Sequence, residues 1–145
     1  MRKIFTVAEA QVLLPVLEAL LRRAQAMAAR ADELEREMQT LSQRIFLAGG
    51  MHVDVVAAAR RRGERDKAAQ NAKDTLAEID AIGVTVQDLQ EGLLDFPCQM
   101  GGETVLLCWK MGEPMITHWH GLEDDSSARK LLDARFDKTE RERPN

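Results

Sequence analysis

The side chains able to do chemistry near neutral pH crowd into one stretch, from Asp95 to His120, which reads DFPCQMGGETVLLCWKMGEPMITHWH. It holds both cysteines (Cys98 and Cys108), both tryptophans (Trp109 and Trp119) and two of the three histidines (His118 and His120). Carboxylate, thiolate and imidazole together are the ligand set of zinc or another divalent metal of similar softness. They are also the parts of a cysteine–histidine nucleophile pair or an acid–base site. The candidate residues are Asp95, Cys108, Glu113, His118 and His120. No CxxC or HExxH spacing accompanies them, and His118-x-His120 is found in metal sites and ordinary strands alike. The plain alternative is a solvent-facing strand with a satisfied Asp95 and a half-buried Cys108. Trp109 and Trp119 read as core residues, and His52 as a surface residue.

Strand register decides which candidates meet. Gly101-Gly102 marks a two-residue hairpin loop. It pairs Asp95 with Cys108, Phe96 with Leu107 and Leu94 with Trp109, and directly paired residues share a face. The next connection leaves two choices. A two-residue loop pairs Cys108 with Thr117 and puts both histidines on the face of Phe96, Leu107 and Trp109. A three-residue loop, Gly112-Glu113-Pro114, pairs Cys108 with His118 and Leu106 with His120. Polarity favours the latter, because a small sheet with one packed and one wet face shows a clean split. The apolar face is then Leu94, Phe96, Cys98, Val105, Leu107, Trp109, Met115, Thr117 and Trp119. The mixed face carries Asp95, Thr104, Cys108, Lys110, His118 and His120. A row Asp95–Cys108–His118 follows, with His120 next along the edge and Glu113 at the rim.

The elements that position this row are mostly helical. Thr6-Val7-Ala8-Glu9 fits a capping box and starts a first helix. Pro15 predicts a kink near Val12 to Leu14. Apolar residues recur in steps of three and four from Leu17 through Leu21, Ala24, Ala28, Ala31, Leu34, Met38 and Leu41 to Ile45. Gly49-Gly50 ends that helix. A second runs from about Val53 to Ile82, with a stripe of Val55, Val56, Ala59, Ala69, Ala72, Leu76 and Ile79. Folding back at Gly49-Gly50 sets Arg61 to Arg65 beside Asp32, Glu33, Glu35 and Glu37. The arginine run is thereby explained as interhelix ion pairing, each exposed pair contributing roughly 0–1 kcal/mol. Gly83 stops the second helix. Val84 to Val86 is extended, Gln87 to Glu91 a turn, and strands follow at about Leu93–Met100, Glu103–Met111 and Met115–His120. Asp125 or Ser126 caps a short helix reaching about Arg135.

The expected fold class is therefore α+β: a long antiparallel helical hairpin (6–82) with a three-stranded antiparallel sheet at its open end (84–120). A short C-terminal helix or loop (122–136) and a charged, frayed tail (137–145) complete it. A chain of 145 residues is one domain by its size. With 45% hydrophobic and 30% charged residues it can bury a core. The net charge of −4 and the acidic partners of the arginine run argue against nucleic-acid and anionic-membrane binding. No apolar run approaches membrane-span length and no signal peptide is visible, so a cytoplasmic protein with reduced thiols is expected. The alanine-rich seam buries little by itself, which predicts a homodimer.

Several pieces together resemble a known family. Phe5-Thr6-x-x-Glu9-Ala10, Leu13-Leu14-Pro15, Gly83-Val84, Gly92-Leu93-Leu94-Asp95-Phe96-Pro97, Leu107-Cys108-Trp109-Lys110-x-Gly112-Glu113 and Trp119-His120 look like a bacterial family catalogued as domain of unknown function 2203. The resemblance spans most of the chain, and LCWK-x-GE and WH are its specific part. It implies no particular activity. It implies that a shared site would use Asp95, Cys108, Glu113 and His120, not His118. The family follows its tryptophan–histidine pair with a glycine-rich stretch ending in arginine. Asp125-Ser126-Ser127-Ala128-Arg129 departs from that pattern.

Two expectations of function result. The leading one is a small interaction or scaffold protein whose helical hairpin binds a protein partner. The other is a metal-binding or hydrolytic domain with its site on the polar face of the sheet.

Overall fold

The computed structural model describes residues 3–47, 49 and 54–136. Gly50 of the expected hinge, His52 and the expected tail from Asp137 to Asn145 lie outside the described residues. Among the described residues the class is α+β, with two α-helices and a five-stranded antiparallel sheet in the order β1-β2-β3-β4-β5. Helix α1 spans Val7–Leu47 and α2 spans Val55–Ile82. The strands are β1 Thr85–Asp88, β2 Leu93–Met100, β3 Glu103–Lys110, β4 His118–Gly121 and β5 Lys130–Leu131. The chain divides into two compact units, one of Met1–Leu21 with Leu76–Asn145, the other of Arg22–Thr75.

In the first unit, α1 starts on the expected capping box. The Thr6 hydroxyl accepts from the Glu9 amide at 3.2 Å, and Glu9 Oε1 accepts from the Thr6 amide at 2.9 Å. The helix continues through Pro15 as one element. Proline leaves the Gln11 carbonyl without its usual donor, while the Gln11 side chain accepts from the Ile116 amide at 3.0 Å. The apolar face of the sheet packs on the early turns of α1 and the last turns of α2. Leu94, Phe96, Cys98, Val105, Leu107, Trp109 and Trp119 are buried together with Ala10, Leu14, Leu17, Leu21 and Ile79. Phe5 meets Phe96 edge-on, centroids 5.8 Å apart. Gly83 ends α2 at φ +104°, where an added Cβ would stand 2.8 Å from the Lys3 Cβ.

The register has the expected three-residue form. Asp95 pairs with Cys108, Phe96 with Leu107 and Leu94 with Trp109. Cys108 pairs with His118 and Leu106 with His120. Pro97 sits within β2 without breaking the ladder to β3. Its carbonyl accepts from the Phe5 amide at 2.7 Å, so its backbone faces away from β3, where no donor is missed.

The strand count corrects the three-stranded expectation. Thr85, Val86 and the first two residues of the expected turn, Gln87 and Asp88, form β1, paired on β2, and Leu89 to Glu91 make the turn. The segment expected to be helical to about Arg135 forms a short 3-10 turn, Ser126–Ala128, capped by Asp125, and then β5 on β4. Three residues are too few to repeat a helical stripe, and the backbone there completes the sheet edge instead. Met115 is exposed, and Ile116 takes its expected place in the core.

In the second unit α1 and α2 run antiparallel. Arg65 meets Glu35 at 2.7 Å, Arg61 meets Glu37 at 3.8 Å and Arg30 meets Glu64 at 3.6 Å. Its buried residues are Ala24, Leu34, Ala68, Ala72 and Thr75. The α2 stripe differs from the expected one, since Val55, Val56 and Ala59 are exposed. The buried line of α2 reaches Ala68, Ala72, Thr75 and Ile79 through steps of three and four.

Candidate metal centre

Asp95, Cys108 and His120 come from three adjacent strands, β2, β3 and β4. Antiparallel pairing sets Asp95 beside Cys108. His120 lies one row along, opposite Leu106, and reaches diagonally back to Asp95. Its Nε2 stands 3.1 Å from Asp95 Oδ1, and one ligand atom from each of the three residues lies within 4.8 Å of the others. Asp95 and Cys108 are 0% exposed and His120 is 2% exposed.

This is the face expected to be wet. Residues that follow β4 lie against it, Leu122, Asp124 and Asp125 beside His120 and Arg129 beside Cys108. Leu122, Asp124 and Asp125 line a concavity of about 330 Å³ together with His120, Gln87 and Leu106. The group is thus covered, with its histidine at the wall of an open space.

Hydrogen bonding fixes the orientation of His120. Nδ1 lies 2.9 Å from the Gly121 carbonyl, which only accepts, so Nδ1 carries a hydrogen and donates. A neutral ring then turns its bare Nε2 toward Asp95 Oδ1. Two acceptors cannot share that 3.1 Å contact, so a proton or a cation must lie between them. Asp95 Oδ2 is buried with no hydrogen-bond partner among the described residues. Burial pushes the Asp95 carboxyl above the usual carboxylate range, against the His120 hydrogen bond that favours its charged form. Burial likewise pushes the Cys108 thiol from its ordinary 9.0 up to about 11; the Arg129 charge opposes this, and Asp95 and Glu113 add to it.

Glu113 and His118 stand apart from this group. Glu113 accepts from Arg129 Nη2 at 2.8 and 3.1 Å and from the Lys110 amide at 2.7 Å. His118 Nδ1 lies 2.8 Å from the Thr117 hydroxyl and 3.9 Å from Glu113. The row Asp95–Cys108–His118 exists in the backbone register, but the side chains that converge are Asp95, Cys108 and His120. Reading direct pairs alone misses the diagonal reach of an imidazole. Register reasoning also misses Arg129, whose Nη2 stands 3.5 Å from the Cys108 carbonyl. Its only sequence signal was its place after the tryptophan–histidine pair. Neither Cys98 nor Cys108 is in a disulfide among the described residues, and both are buried.

No helix of the described residues is long and apolar enough to cross a membrane. Neither a curated protein nor a solved structure matches the chain. A family model matches residues 3–132, which contain the capping box, the convergent trio, Glu113 and Arg129. The chain belongs to the family described as Uncharacterized conserved protein (DUF2203).

Proposed function

We propose that the protein binds a zinc-like divalent cation through Asp95, Cys108 and His120. The observation that carries this is the contact between His120 Nε2 and Asp95 Oδ1, with Nδ1 already committed to a backbone carbonyl. A histidine ligand commonly donates its second nitrogen to such a carbonyl and offers the first to the metal. Zinc bonds of about 2.0–2.3 Å put tetrahedral neighbours about 3.3–3.7 Å apart. The observed 3.1 Å contact and 4.8 Å limit reach that spacing with small side-chain shifts. Aspartate, thiolate and neutral imidazole around a divalent ion sum to zero charge, which suits a buried site.

Three protein ligands leave a fourth position for water, the arrangement of catalytic rather than structural zinc. The concavity beside His120 gives that position access, and metal-activated water makes hydrolysis the reaction class. A cysteine nucleophile fits less well, because the thiol is pushed up to about 11 and His120 faces Asp95. Metal analysis of untagged protein tests the reading. Near-stoichiometric zinc, lost in Cys108→Ala and His120→Ala, is expected. Metal-free protein that shows no thermal shift with any divalent ion overturns it.

The helix pair supports a second reading, association with another copy of the chain. Phe46 and Leu47 at the end of α1 are 84% and 82% exposed, and Val55 and Val56 at the start of α2 are 68% and 67% exposed. Buried residues of that unit are mostly alanine, so its own core contributes little. Light scattering is expected to give a dimer that Phe46→Ser with Val56→Ser dissociates. A monomer at high micromolar concentration rules this out.

A further inference from the structure

Arg129 is a largely buried arginine whose surroundings are only partly explained by packing. Its Nη2 is held by Glu113 at 2.8 and 3.1 Å. Glu113 is itself fixed at both ends. Its main-chain carbonyl accepts from Trp109 Nε1 at 2.9 Å and its Oε1 from the Lys110 amide at 2.7 Å. Both anchoring residues follow Cys108 directly in β3. The same Nη2 stands 3.5 Å from the Cys108 carbonyl, and Arg129 Nε is buried with no hydrogen-bond partner among the described residues.

Such a donor is costly in an apolar setting and calls for a reason. A buried Asp95 Oδ2 without a partner lies on the other side of the same cysteine, in the strand paired with it. The Cys108 side chain lies between them and interacts with both Asp95 and Arg129, yet Asp95 Oδ2 and Arg129 Nε stay without partners. A thiolate bound to a cation changes both, because its sulfur accepts from the guanidinium and the cation takes the carboxylate. Resting on the metal reading, we propose that Arg129, clamped by Glu113, is the positioning residue that holds Cys108 as a metal-bound thiolate.

This assigns Glu113 to the site without making it a ligand. Partners behind a ligand typically set metal affinity by 10- to 100-fold. Lysine keeps the charge but lacks the planar fork that serves Glu113 and the cysteine together.

The test is zinc affinity by competition with a chelating dye, and the thiolate-to-metal charge-transfer band of the cobalt-loaded protein. Arg129→Gln is expected to weaken zinc by about 10- to 100-fold and to shift or weaken the band. Glu113→Gln is expected to do the same to a smaller extent, and Arg129→Lys to recover part of the affinity. Arg65→Gln, in the helix pair, is the control and changes neither readout. Should Arg129→Gln fail to fold, Glu113→Gln and Arg129→Lys carry the comparison. Wild-type affinity and an unshifted band in these variants overturn the positioning role while leaving the metal site standing. Wild-type protein indistinguishable from Cys108→Ala in zinc binding overturns both.

Discussion

The unit that holds the sheet and the unit of paired helices solve stability differently. In the first, Leu17, Leu21, Phe96, Leu107 and Trp109 are nearly or wholly buried in one cluster. In the second, Leu34 is the one large apolar side chain among the described residues that is buried, and the rest of its interior is alanine and a threonine. Across the helix pair, register is marked by exposed ion pairs, which resist sliding but contribute little free energy. A densely packed sheet can hold three ligand atoms within a few ångströms of one another, as catalysis or metal binding requires. Two helices meeting through alanines present area and charge, which suits association.

The largest expected effect follows from that contrast. Phe96→Ala should cost about 3–5 kcal/mol, and Leu34→Ala should fall at the low end of the range for its type, about 2 kcal/mol. Phe96 meets Phe5 edge-on and lies in the common cluster, so its loss leaves a void that neighbours cannot fill. Leu34 is flanked on α1 by the half-buried Ala31 and Met38, which can relax into the space. Denaturant unfolding checks the order. A Leu34→Ala variant less stable than Phe96→Ala would break the comparison.

Next in size is the effect of metal. Zinc at a hundredfold excess over its dissociation constant should stabilise the protein by about 2.7 kcal/mol, since it binds only the folded trio. Cys108→Ala and His120→Ala should abolish the gain, and Arg61→Ala should keep it. A shift that survives Cys108→Ala would place the metal elsewhere and remove the chemical half of the contrast.

How much of this was legible in the sequence differs between the units for physical reasons. The capping box, the Gly101-Gly102 hairpin and the Cys108–His118 register follow from local chemistry and period-two polarity, and the structure has all three. Strand β1 was legible only as the extended Val84 to Val86, without its pairing on β2, and β5 was not legible. They are four and two residues long, too short for a period to show, and their pairing is decided by the strands beside them. The burial of Asp95, Cys108 and His120 was hidden as well, because the residues lying beside them after β4, from Leu122 to Arg129, carry no period. On the helix pair the arginine run was explained by its acidic partners. The exposure of Val55 and Val56 was not foreseen, because on a helix with few apolar residues the stripe alone does not fix which side faces the partner.

A smaller effect comes from pH. In chelator-treated protein the Cys108 thiol keeps its proton up to about 11 in the fold, against 9.0 when unfolded. Between those values the folded state binds more protons, so stability falls as pH rises through the window. The difference between wild type and Cys108→Ala should reach about 2–3 kcal/mol, present in full below 9.0 and lost by about 11. Parallel curves for the two proteins across that window would show that burial does not govern this thiol.

The smallest effect sharpens the other side of the comparison. Arg61 and Glu37 stand 3.8 Å apart, with 44% and 47% of their side chains exposed. At that exposure Coulomb attraction is screened by solvent and offset by the entropy of holding two long side chains. A double-mutant cycle with Arg61→Ala and Glu37→Ala should give a coupling below about 1 kcal/mol. Raising the salt from low to molar concentration should shrink it further, as the screening length falls to about 3 Å. The sheet unit should show no comparable salt dependence, because its cohesion is apolar and Asp95, Cys108 and His120 are buried. A coupling well above that bound, insensitive to salt, would mean that the ion pairs hold the helices together and do more than mark their register.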